Sequence, residues 1–337
     1  MIEQSRIERF REGSATVGFL FNPMSGRIRK RRDAIRHELT GFPNAASREA
    51  TSAAEINASV DAFLQEDTDL LVIVGGDGTV QAVLNHLFTT RPMANWPVLT
   101  VVPGGTTNMT ALDMGIHGKP EHVLRKLSKC LQGRTLPVLL QRHVLCIEQA
   151  GAANVYGMFF GIGLIARAVI FSQGRIKQLG VTGEVYSAII MLGYLAGALM
   201  GRRQGAWAPV QMSVIEQGIE LHHGSYAFLF ASTLDRLLFG MRPYWGRERE
   251  PLHVTFVRQQ RKRPLRSLLQ LLSGRGSVLE ERDGYYSSNT RTLELLVDDE
   301  YIVDGESYRA TSHGGPLRLS AVGPINFLVA DSGNADS

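Results

Sequence analysis

The stretch that most constrains this chain is residues 69–85, DLLVIVGGDGTVQAVLN. Leu70 to Val74 is an unbroken apolar run of strand length, the pattern of a strand buried on both faces in a parallel sheet. It stops at Gly75-Gly76-Asp77-Gly78-Thr79, and a helical pattern follows with Val80, Val83, Leu84 and Leu87 on one face. Strand, glycine turn and helix in that order aim backbone N–H groups and a helix N-terminus at the space beyond the strand end, which suits phosphate. Asp77 adds a carboxylate able to meet a metal–phosphate complex. The same residues also suit a plain tight turn, with glycines for positive φ and Thr79 as helix N-cap. Taken alone, the stretch leaves both readings open.

Its neighbours repeat the arrangement. Residues 16–22, TVGFLFN, read as a first strand turned by Pro23-Met24-Ser25-Gly26, with a basic helix expected over 28–39. A weak second strand ends near Glu49-Ala50-Thr51, and 53–64 reads as a helix. Residues 96–102, WPVLTVV, form another apolar strand closed by Pro103-Gly104-Gly105-Thr106-Thr107-Asn108, and helical patterns follow at 109–114 and 121–131. Strands alternating with helices over the first ~130 residues predict a parallel α/β sheet, whose ligands bind at the carboxyl ends of the strands. Three such ends here carry Gly/Pro/Ser/Thr/Asn turns: NPMSG, GGDGT and PGGTTN. Three phosphate-friendly turns along one sheet edge are far more specific than one.

After Gly133 the period changes. Residues 136–149, 154–160, 210–216, 225–232, 252–258, 292–297 and 301–303 read as strands, with helical patterns at 185–200 and 265–272. The expected organisation is an α/β domain over 1–134 and a mainly β, sandwich-like domain over 135–329. The last strand has room to return to the first domain, and 330–337 is a polar tail expected to be disordered. A cleft between the halves is the default ligand site.

At 337 residues and a net charge of +4, the chain is long enough for two domains and does not demand nucleic acid. Two cysteines, Cys130 and Cys146, without metal-type spacing fit a reducing cytosol. The charged N-terminus has no apolar core and does not read as a secretory signal. The most apolar stretch, 188–200, is shorter than the ~20 residues of a spanning helix and reads as a buried or membrane-touching helix. The P-loop lysine motif is absent: Gly118-Lys119 is followed by Pro120, and Asp113 stands where the motif's first glycine should be. Gly161-Ile162-Gly163-Leu164-Ile165-Ala166 matches the loose dinucleotide fingerprint, but Glu184 follows Gly180 and Gly183 instead of ending an apolar strand. A tight turn lining the interdomain cleft is the expectation there.

NPMSG at 22–26, GGDGTVQAVLN at 75–85, PGGTTNM at 103–109 and VDGE at 303–306 resemble, in order, the motifs of the diacylglycerol kinase-type lipid kinases, which include bacterial lipid kinases and sphingosine kinases. FFGIGLIARAV at 159–169 also looks like that family's glycine-containing segment. The resemblance implies an N-terminal α/β nucleotide domain of the NAD kinase/diacylglycerol kinase type, a β-rich lipid-substrate domain, and ATP with Mg²⁺. It implies transfer of the γ-phosphoryl group to a hydroxyl of a membrane lipid such as diacylglycerol. By that resemblance Asn22, Pro23, Ser25 and Gly26 line the nucleotide, together with Thr51 and Thr106. Gly75, Gly76, Asp77, Gly78 and Thr79 meet the phosphates, Asp77 facing the Mg²⁺–nucleotide. Asp304 is the general base and Glu306 its companion. Phosphoryl transfer needs charge neutralisation and alignment, which glycine amides and Mg²⁺ supply, and a carboxylate within reach of the attacking hydroxyl. Asp304-Gly305 between apolar residues is equally a strong hairpin signal.

The chain departs from the family where an Asp-Gly-x-Leu-Asp-Val segment helps hold a structural Mg²⁺ in bacterial members. Arg249-Glu250-Pro251-Leu252-His253-Val254 stands there instead. A guanidinium repels a hard cation, so this accessory metal site is expected to be lost, or remade with Glu248 or Glu250. Around Asn108 the chain reads NMTALDMG where the family more often has Asn-Asp-Phe-Ala-Arg. Two basic runs remain. Residues 27–32 carry five charges, Ile28 being the exception, and read as a solvated helix face or a phosphate contact. Residues 258–266, RQQRKRPLR, precede Leu268-Leu269 and Leu271-Leu272. That pairing suits peripheral contact with anionic lipid at the inner face of the membrane, or a solvated arm. Competing functions are NAD kinase, whose Gly-Ser-Thr-Ala-Tyr segment is missing, and a catalytically inactive nucleotide- or lipid-binding homologue.

Overall fold

The computed structural model describes residues 4–42, 44–179, 193, 197, 207–237, 240–261, 267, 270 and 278–330. The expectations for the apolar stretch 188–200, for the 265–272 helix with most of its basic flank, and for the tail from 331 fall almost entirely outside them. The chain forms two compact units, one built from the sequence up to Arg142 and again from Pro324, the other from His143–Gly323.

In the first unit, β1 (Val17–Phe21) lies between β2 (Ala45–Glu49) and β3 (Leu70–Gly75), and β3 pairs onward with β4 (Val98–Pro103), all parallel. Every residue of β1, β3 and β4 is buried, as their apolar runs require, whereas β2 is polar and half-exposed at the sheet edge. Phe327, in β15 (Leu317–Ala330), adds a parallel pairing to Leu99. Packed on the sheet are α2 (Arg32–Leu39), α3 (Ala53–Gln65), α4 (Asp77–Thr90), α5 (Met109–Asp113) and α6 (Pro120–Leu131). Helix α3 opens with a capping box between Ser52 and Glu55, and α6 with Pro120 in its first turn, both regular start signals.

The expected helix over 28–39 is shorter. Residues 25–31 form consecutive turns, and α2 starts only at Arg32. The cause is Ile28, which is fully buried beneath Gly104 while Ile35 and Leu39 hold the helix itself. The amino-terminal α1 (Gln4–Glu12) is pinned from outside by Asp69. That carboxylate accepts hydrogen bonds from Arg9 (2.5 and 2.9 Å), Arg6 (3.3 Å) and Thr16. Burial alone would push Asp69 up, but the hydrogen bonds and charge of Arg9, with the Thr16 donors, hold it below the ordinary aspartate value.

The second unit is antiparallel and mainly β. Its strands are the end of β5 (Pro137–Glu148), β6 (Val155–Gly157), β7 (Phe159–Gly163), β8 (Val210–Glu216), β9 (Ile219–Ser232), β10 (Leu252–Arg258), β11 (Tyr285–Thr290), β12 (Thr292–Val297), β13 (Glu300–Val303), β14 (Glu306–Arg309) and the start of β15. β9 serves two sets of neighbours: residues up to Tyr226 pair with β8, while 226–232 pair with β10 and 228–232 with β7. Leu317–Ser320 of β15 pair with β12. Tyr226, Phe160, Leu229, Leu252 and Leu295 are central to the core.

Two strands escaped the sequence reading, because β11 (YYSSNT) and β14 (ESYR) are polar; the last strand, β15, runs through Gly323-Pro324. The Gly161–Ala166 segment is not a turn. It is the end of β7, held antiparallel between β9 and β13, running into α7 (Leu164–Leu179) through Gly163 at φ +71. A dinucleotide fold needs parallel neighbours at this point, so the fingerprint fails on topology. Among the described residues no helix is long and apolar enough to cross a membrane.

Candidate nucleotide-binding turns and the Asp304 carboxylate

The carboxyl edge of the first unit's sheet is built from three glycine turns that interlock through backbone. The Gly104 N–H donates to the Gly75 carbonyl at 2.7 Å, and the Arg27 N–H donates to the Gly104 carbonyl at 2.8 Å. Gly76 and Gly105 lie so close that a Cβ on Gly76 would fall 2.8 Å from the Gly105 Cα, and one on Gly105 would fall 2.6 Å from the Gly76 Cα. A Cβ on Gly26 would sit 3.3 Å from the Thr106 hydroxyl. Only glycine permits the Gly76–Gly105 approach, which sets backbone against backbone instead of supplying positive φ.

Two asparagines fix the turns. Asn22 ends β1: its Oδ1 accepts from the Met24 N–H and its Nδ2 donates to Thr79 Oγ1, both at 3.0 Å. Pro23 is buried in this turn, and the Ser25 N–H closes it onto the Asn22 carbonyl at 3.3 Å. Asn108, 3% exposed and left-handed at φ +51, closes the third turn. Its side chain brackets one residue, accepting from the Gly105 N–H and donating to the Gly105 carbonyl. Thr79 is not the N-cap of α4. Gly76 holds that position, and Thr79 lies inside the first turn, buried under Gly75.

Asp77 begins α4 and is 5% exposed. Its Oδ2 accepts from the Thr107 hydroxyl (2.6 Å) and the Met109 N–H (3.1 Å), and its Oδ1 from the Thr110 N–H (3.2 Å). The carboxylate therefore caps α5 and ties the second turn to the third. The N–H groups of Asp77 and Gly78 lie in the first turn of α4, where a helix has no intrahelical acceptor for them. Thr51 stands at the same edge, just past β2, but its N–H and hydroxyl are both given to Glu55 Oε2 (2.6 and 2.8 Å). Those donors hold Glu55 below the ordinary glutamate value and complete the cap of α3.

The second unit carries Asp304. Asp304 and Gly305, at φ +48 and +98, form the two-residue turn between β13 and β14, where Val303 pairs with Glu306. The hairpin reading of Asp-Gly is thus correct as structure. The side chain has a further place: Asp304 is 9% exposed, Oδ2 accepts from the Met158 N–H and Oδ1 from the Phe159 N–H, each at 2.9 Å. Gly157 makes room, since a Cβ there would lie 2.6 Å from Asp304 Oδ2. Ser232 and Thr233 hold the Met158 carbonyl, so the two donor amides are themselves fixed. Glu306, the first residue of β14, is exposed.

At the 249–254 segment the side chains face Asn289 and Arg291. Glu250 meets Arg291 at 3.3 Å, His253 Nδ1 lies 2.8 Å from Asn289 Oδ1, and Glu248 accepts from the Asn289 N–H at 2.8 Å. Among the described residues no group of three or more His, Cys, Asp or Glu side chains is placed to hold a metal ion.

The structure brings Asn22, Pro23, Ser25, Gly26, Gly75 to Thr79 and Thr106 together on one edge. Thr51 stays beside them with its hydroxyl committed elsewhere. Gly105, Asn108 and Gly157 are the positions that reading by motif undervalued. A non-glycine residue at positive φ marks Asn108, and asparagine is among the few that tolerate it, but nothing in the sequence marks Gly157.

A parallel α/β unit followed by a mainly β, antiparallel unit is a fold this chain shares with solved diacylglycerol kinase structures. Residues 16–140 match the family model of the diacylglycerol kinase catalytic domain. A diacylglycerol kinase of Bacillus subtilis (strain 168) is 32% identical over 187 residues, which is 54% of this chain and 53% of that protein. The chain thus spans about half the length of this curated relative. A crystal structure of a diacylglycerol kinase from Bacillus anthracis str. Sterne aligns over 94% of this chain and 97% of its own, at 14% identity and TM-score 0.61. Another structure from that organism, of a chain assigned to the same kinase class, aligns over 91% and 94% at 15% identity and TM-score 0.65. Over about half of its length the chain is thus similar to diacylglycerol kinases, and residues 16–140 to their catalytic domain.

Proposed function

We propose that the protein is an ATP-dependent lipid kinase that transfers the γ-phosphoryl group to a hydroxyl of a membrane lipid of the diacylglycerol class. The observation that carries this reading is the interlock of the Gly26, Gly75-Gly76 and Gly104-Gly105 turns around the N-terminus of α4. Such a surface offers amides and a helix dipole to a polyphosphate without any P-loop lysine. Asn22, Pro23, Ser25, Gly26 and Thr106 are the nucleotide side, and Gly75 to Thr79 the phosphate side. Thr51 supports the edge through the α3 cap. Mg²⁺ bound with the nucleotide would neutralise the developing charge, and Asp77 would hold its water shell through Oδ1, the oxygen with a single protein donor.

Asp304 serves as the base for the lipid hydroxyl. Oδ2 accepts from the Met158 N–H and Oδ1 from the Phe159 N–H, so two backbone donors fix the orientation of the carboxylate. Glu306 supports it electrostatically. The chain works at the cytosolic face of a membrane as a peripheral protein. The test offers labelled ATP with diacylglycerol, sphingoid bases, phosphatidylglycerol and NAD to wild type and to Asp304→Asn. A phosphorylated lipid formed by wild type and lost in the variant is expected. No product from any acceptor would favour a binding protein without turnover, and phosphorylated NAD would favour a NAD kinase.

A further inference from the structure

We infer that Arg29 and Lys30 are phosphate-binding residues, taking up the polyphosphate chain of the nucleotide in place of the missing P-loop lysine. The inference rests on the nucleotide reading of the three turns and adds the cations they lack.

The turn that carries these residues is rigid. The Ile28 and Arg29 N–H groups both donate to the Ser25 carbonyl at 3.0 Å, and the Arg31 N–H donates to the Ile28 carbonyl at 2.7 Å. Ile28 is fully buried against Gly104, where a Cβ would fall 2.2 Å from its Cδ1, so position 104 must be glycine for the anchor to seat. The Arg27 N–H is bonded to the same Gly104. The basic run is thereby fastened to the Gly104-Gly105-Thr106 turn and begins one residue after Gly26, which itself abuts Thr106.

The five cations are not equivalent. Arg31 is engaged by Glu121 at 2.9 Å, and Arg32 has Asp33 at 4.0 Å. Burial would raise the Glu121 carboxyl, but the hydrogen bond and charge of Arg31, with a backbone donor and the charge of Lys119, together keep Glu121 below its ordinary value. Arg27 has its own contacts. Arg29 and Lys30 are exposed, and among the described residues no carboxylate pairs with either. Two solvated cations on a backbone-anchored turn next to glycine amides fit a multiply charged phosphate chain, whose affinity depends on charge number. A ribose or base would gain little from them.

The experiment is a charge ladder: the affinities of ATP, ADP and AMP measured by calorimetry without any lipid, for wild type and for the Arg29→Gln/Lys30→Gln double variant. Both residues are exposed, so the variant is expected to melt with the wild type. The expected result is a loss of about tenfold in ATP affinity, a smaller loss for ADP and less than about twofold for AMP, with a shallower salt dependence for ATP. An Arg29→Lys/Lys30→Arg exchange, which keeps both charges, should retain ATP affinity. Equal losses along the ladder, or none, would overturn the assignment, as would a wild type that binds none of the three nucleotides. ATP binding by wild type without phosphorylation of any lipid would instead sink the kinase reading and leave the ladder to decide this one.

Discussion

Asn108 brackets Gly105: its Oδ1 accepts from the Gly105 N–H at 2.7 Å while its Nδ2 donates to the Gly105 carbonyl at 2.8 Å. Both main-chain polar groups of the residue at the close approach of the turns are thus satisfied by a single buried side chain. Asn108→Ala would leave those two groups unpaired and put alanine at φ +51. A loss of about 2–4 kcal/mol is expected in urea unfolding. Asn108→Gly, which relieves the backbone but not the bracket, should recover only the conformational part, about 1 kcal/mol.

Gly76 and Gly105 face each other too closely for a methyl group, and the opposing atom in each case is backbone. Gly76→Ala must therefore spread two turns, and overpacking of that kind costs about 1–3 kcal/mol. More telling is the binding effect: the amides of α4's first turn move off their aim, and ATP affinity should fall at least about tenfold by calorimetry. Unchanged affinity would mean that the turns are scaffold only.

Asp69 anchors α1 and the start of β1, and its folded pKa is held below the ordinary value. A depressed carboxylate stabilises the fold above its unfolded pKa of about 3.9, and that contribution is lost as pH falls through the folded pKa. Asp69→Asn should be about 2–3 kcal/mol less stable than wild type at pH 7. The gap should begin to narrow as pH falls below about 3.9 and close only below the folded pKa, where the wild-type carboxylate is protonated as well. Thermal melts of both proteins across pH 3–7 read this directly. A gap that does not narrow toward acid would assign Asp69 a purely steric role.

The sequence carried the first unit almost whole, for a physical reason. Parallel strands buried on both faces are continuous apolar runs, and β1, β3 and β4 stand out between glycine turns. The three turns on one edge were likewise legible, since only glycine, proline and short polar residues make them. Side-chain pairing was not. That Thr51 gives its hydroxyl to Glu55, or that Asp77 caps α5, depends on where an acceptor lies in space. Strands β11 and β14 hid because half-exposed antiparallel strands tolerate polar residues on both faces of a short run. The fingerprint at Gly161 failed because local spacing does not encode whether a strand's neighbours run parallel.

Gly157 leaves the space that the Asp304 carboxylate occupies. In Gly157→Ala the new methyl would meet both Asp304 Oδ2 at 2.6 Å and Val303 Cγ1 at 2.5 Å, so the hairpin must shift. The expected signature is selective: turnover of lipid falls about 10²-fold with misplacement of the base, while ATP affinity, a property of the first unit, stays within about twofold. Parallel loss of both would point to general unfolding instead.

The central claim is that Asp304 takes the proton of a lipid hydroxyl while ATP supplies the phosphoryl group. Its most direct measurement is the initial rate of phosphate transfer from labelled ATP to diacylglycerol in vesicles, for wild type and Asp304→Asn, with ATP affinity and melting temperature recorded for both. The account predicts phosphorylated diacylglycerol from wild type and a loss of about 10²–10⁴-fold in the variant, with ATP affinity kept. Equal rates in the two folded proteins, or no phosphorylated lipid from wild type, would contradict it.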